Sequence, residues 1–318
     1  MDFLIGGLAA MGATFFSNPL DVLKTRIQLQ GELKPRGQHE IHYRHALHAA
    51  YVVIKQEGIF ALQKGLGAAL LMHGVRNSIK LGSYQWFTNQ GYICDSDNRT
   101  IFHKSLLASA FGGAAGAFVG SPLYQITTQL QSNAGEGIAV GHQHKHSGLV
   151  QAFKAIYSRH GMKGLWRGSN ANVIRTVVGA SAQLTTFSKT KDILREYEFF
   201  QRSTTMTAFF ASIAGGICQT VFQTPLDLVC IRLNNQYVYA SGQGALYTGM
   251  TNCLTKIIQS EGFFGLYKGA GVNYMRIARQ TGFCLMFWEL LKDLHVKHFG
   301  LNKNGHCNTS ISDEIIKL

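Results

Sequence analysis

Three of the four prolines in this 318-residue chain, Pro19, Pro122 and Pro225, stand 103 residues apart, and each is followed by leucine. A proline inside a helix deletes one backbone hydrogen bond and collides with the preceding turn, so each marks a helix kink. Three kinks on one period mean three copies of one unit. The copies extend to both sides of the proline. Small residues recur ahead of it: Ala9, Gly112 and Gly215, then Ala10, Gly113 and Gly216. Gly112, Gly116 and Gly120 form a small-residue ridge of the kind that lets membrane helices approach closely. Downstream, Gly58, Gly161 and Gly262 each close a short amphipathic helix, expected over 46–57, 149–160 and 250–261. Gly65, Gly168 and Gly269, each preceded by a base, open the next long helix.

The placement of charge says what medium these units occupy. Only 15% of residues are charged, against roughly 25% in soluble domains. Mean hydropathy is a neutral +0.02. The distribution is the stronger signal, because residues 3–20 and 203–226 contain no charge at all and are long enough to cross a bilayer. The short helices cannot span one and read as lying along its surface. The long helices that follow carry charges in mid-span, which is expensive in lipid unless those residues face a watery cavity.

Several function classes are excluded or disfavoured. Asp2 stands where a secretory leader would carry base, so no signal peptide is expected. Six cysteines without a C-x-x-C pair give no disulfide or zinc framework, and free thiols are expected. His142, His144 and His146 alternate in a polar loop, where histidines are usually solvated, so no metal site is expected. No phosphate loop or nucleophile elbow is present, so the chain reads as a non-enzyme without a cofactor. The net charge of +13 does not point to nucleic acid, because that reading needs a soluble domain with an exposed basic patch.

The triple pattern of Pro-x-acid-x-x-base followed by acid-Gly-x-x-x-x-aromatic-base-Gly resembles the mitochondrial carrier family (solute carrier family 25) over about residues 3–298. The copies depart from it locally, with Gln63 in an aromatic slot, His160 in an acid slot, and charge lost after the second and third prolines. The resemblance implies an all-α membrane protein: six transmembrane helices in three pseudo-symmetric repeats around a central cavity, each repeat with a short matrix-side surface helix. The repeats are expected at 1–95, 100–198 and 203–298, with a polar tail at 299–318. It also implies a mitochondrial inner-membrane location, a monomer, alternating access, and an anionic lipid partner such as cardiolipin. The bases Lys64, Arg167 and Lys268, beside the helix starts, are the residues expected to favour that lipid.

The same resemblance assigns roles. The matrix gate would pair Asp21 with Thr127, Tyr124 with Cys230, and Asp227 with Lys24, only the last being an ion pair. Gln28 and Gln131 match the family's bracing glutamine. The cytosolic gate would bring together Gln85 and Lys191, Ser188 and Lys292, and Glu289 and Thr88. A charge-assisted hydrogen bond contributes about 1.5–3 kcal/mol and a neutral one about 1, so both gates are expected to be weak. Substrate contacts fall at Met72, Arg175 and Arg276, seven residues past the opening glycines. Continuing in helical steps adds Arg76, Lys80 and Gln183, with Thr176 beside Arg175 and Arg279 near the third face. Such a face wants anions, and arginine suits carboxylate, sulfate or phosphate. A plainer alternative is that Arg76 and Lys80 pair with backbone carbonyls or lipid phosphate. Arg175-Thr176, the segment QLTTFSKTK at 183–191 and RNSIKLGSY at 76–84 are similar to the oxaloacetate and dicarboxylate carriers and their poorly characterised animal relatives. The expected function is transport of oxaloacetate, a dicarboxylate or a related inorganic anion, as an antiporter. An uncoupling-type anion or proton conductor, and a non-transporting adaptor with the carrier fold, are the alternatives.

Overall fold

The computed structural model describes residues 2–34, 43–93, 101–144, 146–197 and 204–299, apart from the side chains at 2, 204, 205, 281, 285, 288, 289 and 292–299. Among the described residues there is no β-strand, only an isolated bridge between Val238 and Gly244. The helices are α1 (Asp2–Leu29), α2 (Ala46–Glu57), α3 (Leu66–Asn89), α4 (Phe102–Val119), α5 (Ser121–Ser132), α6 (Leu149–Leu165), α7 (Ser169–Leu194), α8 (Thr204–Asn235), α9 (Met250–Glu261) and α10 (Ala270–Phe299). The long helices form a ring: α1 packs on α3, α3 on α4 and α5, α4 on α7, α7 on α8, α8 on α10, and α10 back on α1. Helices α1, α5 and α8 also touch one another and close the ring at the end that carries α2, α6 and α9, called here the short-helix end.

The glycine ridge explains one seam of the ring. A Cβ on Gly116 would stand 2.6 Å from the Arg76 carbonyl oxygen, and one on Gly112 would stand 3.0 Å from that of Lys80. α4 therefore lies backbone against backbone on α3, an approach that any side chain would prevent. Outside the ring Phe3, Leu8, Phe111, Phe118, Phe209 and Phe222 are exposed, whereas Asn18, Thr224, Asp227 and Asn273 inside it are fully buried. Apolar residues outside and polar ones inside suit a chain whose surroundings are hydrocarbon.

The short helices α2 and α9 stop at Gly58 (φ 85°) and Gly262 (φ 77°). α6 breaks at Gly161 (φ 62°) in the same way, closing the expected 149–160 stretch, and a second short helical stretch runs on to Leu165. The next long helices open from Gly65, Gly168 and Gly269 at φ of 74°, 73° and 75°, the left-handed region that glycine alone adopts without strain.

The three prolines are not equivalent. α1 and α8 run unbroken through Pro19 and Pro225. At Pro122 the expected kink is the sharpest of the three, a break at Gly120 where α4 and α5 meet at a bend of 62°. Gly120 adds its own low helix propensity to the missing hydrogen bond, and Pro122 then occupies a first-turn position where no N–H is needed. A proline also strands the carbonyl four residues before it. Gln63 Nε2 donates to the stranded Phe15 oxygen (3.2 Å), and Trp166 Nε1 donates to the Phe118 oxygen (3.1 Å). Gln63 departs from the aromatic pattern in shape but supplies the same N–H as its counterpart Trp166.

By length and apolarity alone, among the described residues, only α1 (Phe3–Leu29) qualifies as a membrane span. Two bent pairs, α2 with the helical stretch to Asn89 and α4 with α5, qualify only when taken together. The remaining long helices place charge, glutamine, threonine and glycine on their inner faces, which dilutes their apolarity.

Candidate functional site

The ring encloses two contiguous chambers. The larger, of about 160 Å³, is lined by Arg76, Lys80, Arg175, Thr176, Gln183 and Arg276 among others, and by no carboxylate among the described residues. The smaller, of about 40 Å³, lies toward the short-helix end against Asp21, Lys24, Met72, Tyr124, Thr127 and Gln131. His73, Arg76, Arg175 and Arg276 border both. Arg279, expected near this face, lines neither chamber, and its Nε and Nη2 atoms are buried without a hydrogen-bond partner.

The cations are organised by two acids at the floor. Asp227 is fully buried. One of its oxygens accepts from Lys24 Nζ at 2.9 Å and the other from Arg175 Nη1 at 2.7 Å. Arg175 is fixed twice more, by donating to Asn172 Oδ1 at 2.8 Å and by lying over the Tyr124 ring at 5.0 Å. Arg276 stands 3.5 Å from Asp21 and also reaches Asn273 Oδ1. Arg76 donates to Thr176 Oγ1 at 2.8 Å rather than to a backbone carbonyl.

This geometry corrects the gate expected from the sequence. Lys24 and Asp227 do meet, but Asp227 is shared with Arg175, a residue expected only at the substrate level. The Asp21–Thr127 hydrogen bond is absent: Thr127 donates to the Leu123 carbonyl of its own helix, and Asp21 faces Arg276. No bond joins Tyr124 to Cys230; the tyrosine ring serves Arg175. At the floor, then, two acids engage three cations, and the expected weak gate with one ion pair does not describe it.

The bracing glutamines do not contact the Lys24–Asp227 pair. Gln28 donates weakly to the Lys268 carbonyl (3.4 Å). Gln131 belongs to a relay of amides. Thr25 donates to Gln131, Gln131 to Asn18 (3.1 Å), Asn18 to Gln63 (3.0 Å), and Gln63 to the stranded carbonyl of Phe15.

At the opposite end, Gln85 donates to Asn89, one turn on in its own helix, instead of reaching Lys191. Thr88 donates to the Tyr84 carbonyl, and Lys191 lies over the Phe187 ring at 5.9 Å. The side chains of Glu289 and Lys292 lie outside the described residues, and with them the expected contacts to Thr88 and Ser188.

Sequence reasoning missed three participants. His73 borders both chambers and shares a stripe at i, i+3 and i+7 with Arg76 and Lys80, a spacing visible in the sequence. Asn172, which orients Arg175, lies one turn before it. The third is a pair of staples between repeats. Arg26 grips both oxygens of Glu57 at 3.0 Å, Lys64 adds a third contact at 2.6 Å, and Arg26 also reaches the Asn133 carbonyl of the second repeat. Arg232 grips Glu261 in the same way, Lys268 joins at 2.6 Å, and Arg232 reaches the Gln28 carbonyl of the first repeat. Burial by itself would raise the Glu57 carboxyl, but hydrogen bonds from Arg26, Lys64 and the Gly135 amide hold it down to about 2. Lys64 and Lys268, expected to face lipid headgroups, are thus engaged by carboxylates.

Three homologous helical repeats around a polar, cation-lined cavity with one closed end define a membrane carrier. The mitochondrial carrier protein family pattern matches residues 1–90, 98–198 and 201–299, and the chain belongs to that family of transporters. It is 44% identical to human solute carrier family 25 member 35 over 295 residues, covering 93% of this chain and 98% of that protein. It is 35% identical to the mitochondrial oxaloacetate transport protein of Schizosaccharomyces pombe over 298 residues, 93% of this chain and 91% of that protein. Against the Saccharomyces cerevisiae protein of the same description the identity is also 35%, over 294 residues, covering 90% of this chain and 87% of that protein.

Proposed function

We propose that the chain carries small anionic metabolites, oxaloacetate or a dicarboxylate or a related inorganic anion, across the mitochondrial inner membrane by alternating access, and that it works as an antiporter. The observation that carries this reading is the double pairing of Asp227 with Lys24 and Arg175. Arg175 faces the chamber, and Lys24 ties α1 to α8 at the closed end. An anion entering the larger chamber meets Arg76 and Lys80, then competes with Asp227 for Arg175 and with Asp21 for Arg276. Each arginine it takes loosens an acid from the floor, so occupancy of the site and opening of the gate are one set of contacts. Substrate with no carboxylate, sulfate or phosphate gains nothing from this exchange. The combined chambers are below the roughly 300–1,000 Å³ typical of drug-sized ligand sites, which favours a small metabolite over a nucleotide.

In this reading six helices span the membrane, three of them containing the repeated prolines, and the short-helix end faces the matrix. The carrier acts as a monomer. Anionic lipid such as cardiolipin would be held by backbone amides in the first turns after Gly65, Gly168 and Gly269 rather than by Lys64 or Lys268. Proteoliposomes loaded with a panel of labelled anions test the function. Wild-type protein should exchange at least one four-carbon dicarboxylate or oxaloacetate, and Arg175→Ala and Arg276→Ala should each abolish the exchange. Normal exchange in either variant, or no exchange of any anion by the wild type, would sink the central-site reading.

A further inference from the structure

The staple found between repeats is missing once. At the places of Arg26, Glu57 and Lys64 the second repeat carries Gln129, His160 and Arg167. Gln129 keeps the link to the neighbouring repeat by donating to the Asn234 carbonyl (3.1 Å), but its Oε1 is buried and accepts from nothing. With no acid to hold it, Arg167 turns away to the Gly242 carbonyl at 2.9 Å. Where the other repeats are filled by a bidentate ion pair, a cavity of about 790 Å³ opens between α6, the histidine loop and the chain at 237–242. It shares no lining residue with the central chambers.

Its chemistry has one sign. Arg159, Lys163 and Arg167 line it, and no carboxylate among the described residues does. Arg159 and Lys163 have no hydrogen bond or ion pair with any described residue. The opposite wall is His142, His144 and His146, packed ring against ring at 4.6 and 5.8 Å. Burial brings His144 down to about 4 and lowers His142 and His146, so at neutral pH the wall offers neutral imidazoles and the charge comes from α6 and Arg167.

We propose that this cavity is a second ligand site, at the short-helix end, for a phosphate-bearing anion. Arg159 and Lys163, on either side of the break at Gly161, and Arg167 beyond them put three bases in the lining, enough to meet the three oxygens of a phosphate group. The volume lies within the range of small-molecule sites and admits a di- or triphosphate. The ligand is a soluble phosphate; an anionic phospholipid headgroup, already proposed at the start of α7, is the competing outcome of the test. The site is independent of what the central cavity carries.

The test uses full-length purified protein and reads thermal unfolding. One arm titrates inorganic pyrophosphate in detergent. The other compares nanodiscs of phosphatidylglycerol with nanodiscs of phosphatidylcholine. The Arg159→Gln, Lys163→Gln double variant changes two exposed side chains and should fold. Arg276→Ala removes a cation of the central cavity as a control. A saturable rise in Tm with pyrophosphate, present in wild type and Arg276→Ala but requiring at least tenfold more ligand in the double variant, establishes the soluble source. The same pattern with phosphatidylglycerol alone would assign these bases to anionic lipid and overturn the soluble-ligand proposal. His160→Glu restores the acid that the other repeats possess. It should pair with Arg167, raise Tm without ligand, and lose the ligand-dependent rise. A response in the double variant equal to wild type, or no response to either probe, overturns the proposal.

Discussion

Asp227→Asn is the most informative single change in this molecule. It preserves side-chain shape and removes one charge, leaving Lys24 and Arg175, 5% and 3% exposed, facing each other across a neutral amide. Removing one member of a buried ion pair costs about 3–5 kcal/mol, because the remaining charge is left uncompensated. At 1.4 kcal/mol per factor of ten, the closed state should lose between about a hundredfold and a few thousandfold in population relative to open states. Lys24→Ala is a milder change, contrary to the view of Lys24 as half of a solitary pair. Asp227 would still be neutralised by Arg175 at 2.7 Å, and the loss is that of one charge-assisted hydrogen bond, about 1.5–3 kcal/mol. Cys230, fully buried three residues from Asp227, reports the difference. In a variant retaining only that cysteine, well below the unfolding temperature, alkylation proceeds through transiently open molecules and its rate follows their population. The expected order is Asp227→Asn fastest, Lys24→Ala intermediate, wild type slowest. Equal rates for the two variants, or a Lys24→Ala rate above that of Asp227→Asn, would refute the shared-acid reasoning.

Three other outcomes follow from the geometry. Gln63→Leu removes the donor to the stranded Phe15 carbonyl and should lower stability by about 1 kcal/mol in thermal unfolding, whereas Gln63→Trp should restore most of it. Gly116→Val places side-chain carbon against the Arg76 carbonyl, 2.6 Å from even a bare Cβ, and should cost about 1–3 kcal/mol by prying α4 from α3, read as a lower Tm. The Glu57 carboxyl is depressed from 4.5 to about 2 and that of Glu261 is also lowered, so the stability these staples give is complete above about pH 4.5 and is lost as pH falls toward 2. Acid unfolding of Glu57→Gln should be correspondingly flatter across that window than that of the wild type.

Much of the fold is legible in the sequence because the repeat fixes it. The 103-residue spacing, the glycines at 58, 161 and 262, and those at 65, 168 and 269 are local backbone demands, and local demands leave a local mark. The cations of the cavity are legible for a similar reason, since a helical step of three or four places Arg76 and Lys80 on one face. Which acid each cation meets is not legible. Asp227 lies 52 residues from Arg175 and 203 from Lys24, and nothing in the intervening chain records that one carboxylate serves both. Nor does the sequence show that Gln63 and Trp166 do the same work, because their likeness is one N–H aimed at a carbonyl that only the folded proline helix leaves unpaired. The sequence by itself determined three copies of a kinked helical unit, their small-residue seams and an anion-seeking interior. The tertiary structure alone decided that Asp227 joins gate to site, that Asp21 faces Arg276, and that the second repeat lacks its staple, because electrostatic partners are chosen by distance in space and the pattern along the chain constrains only the backbone that carries them.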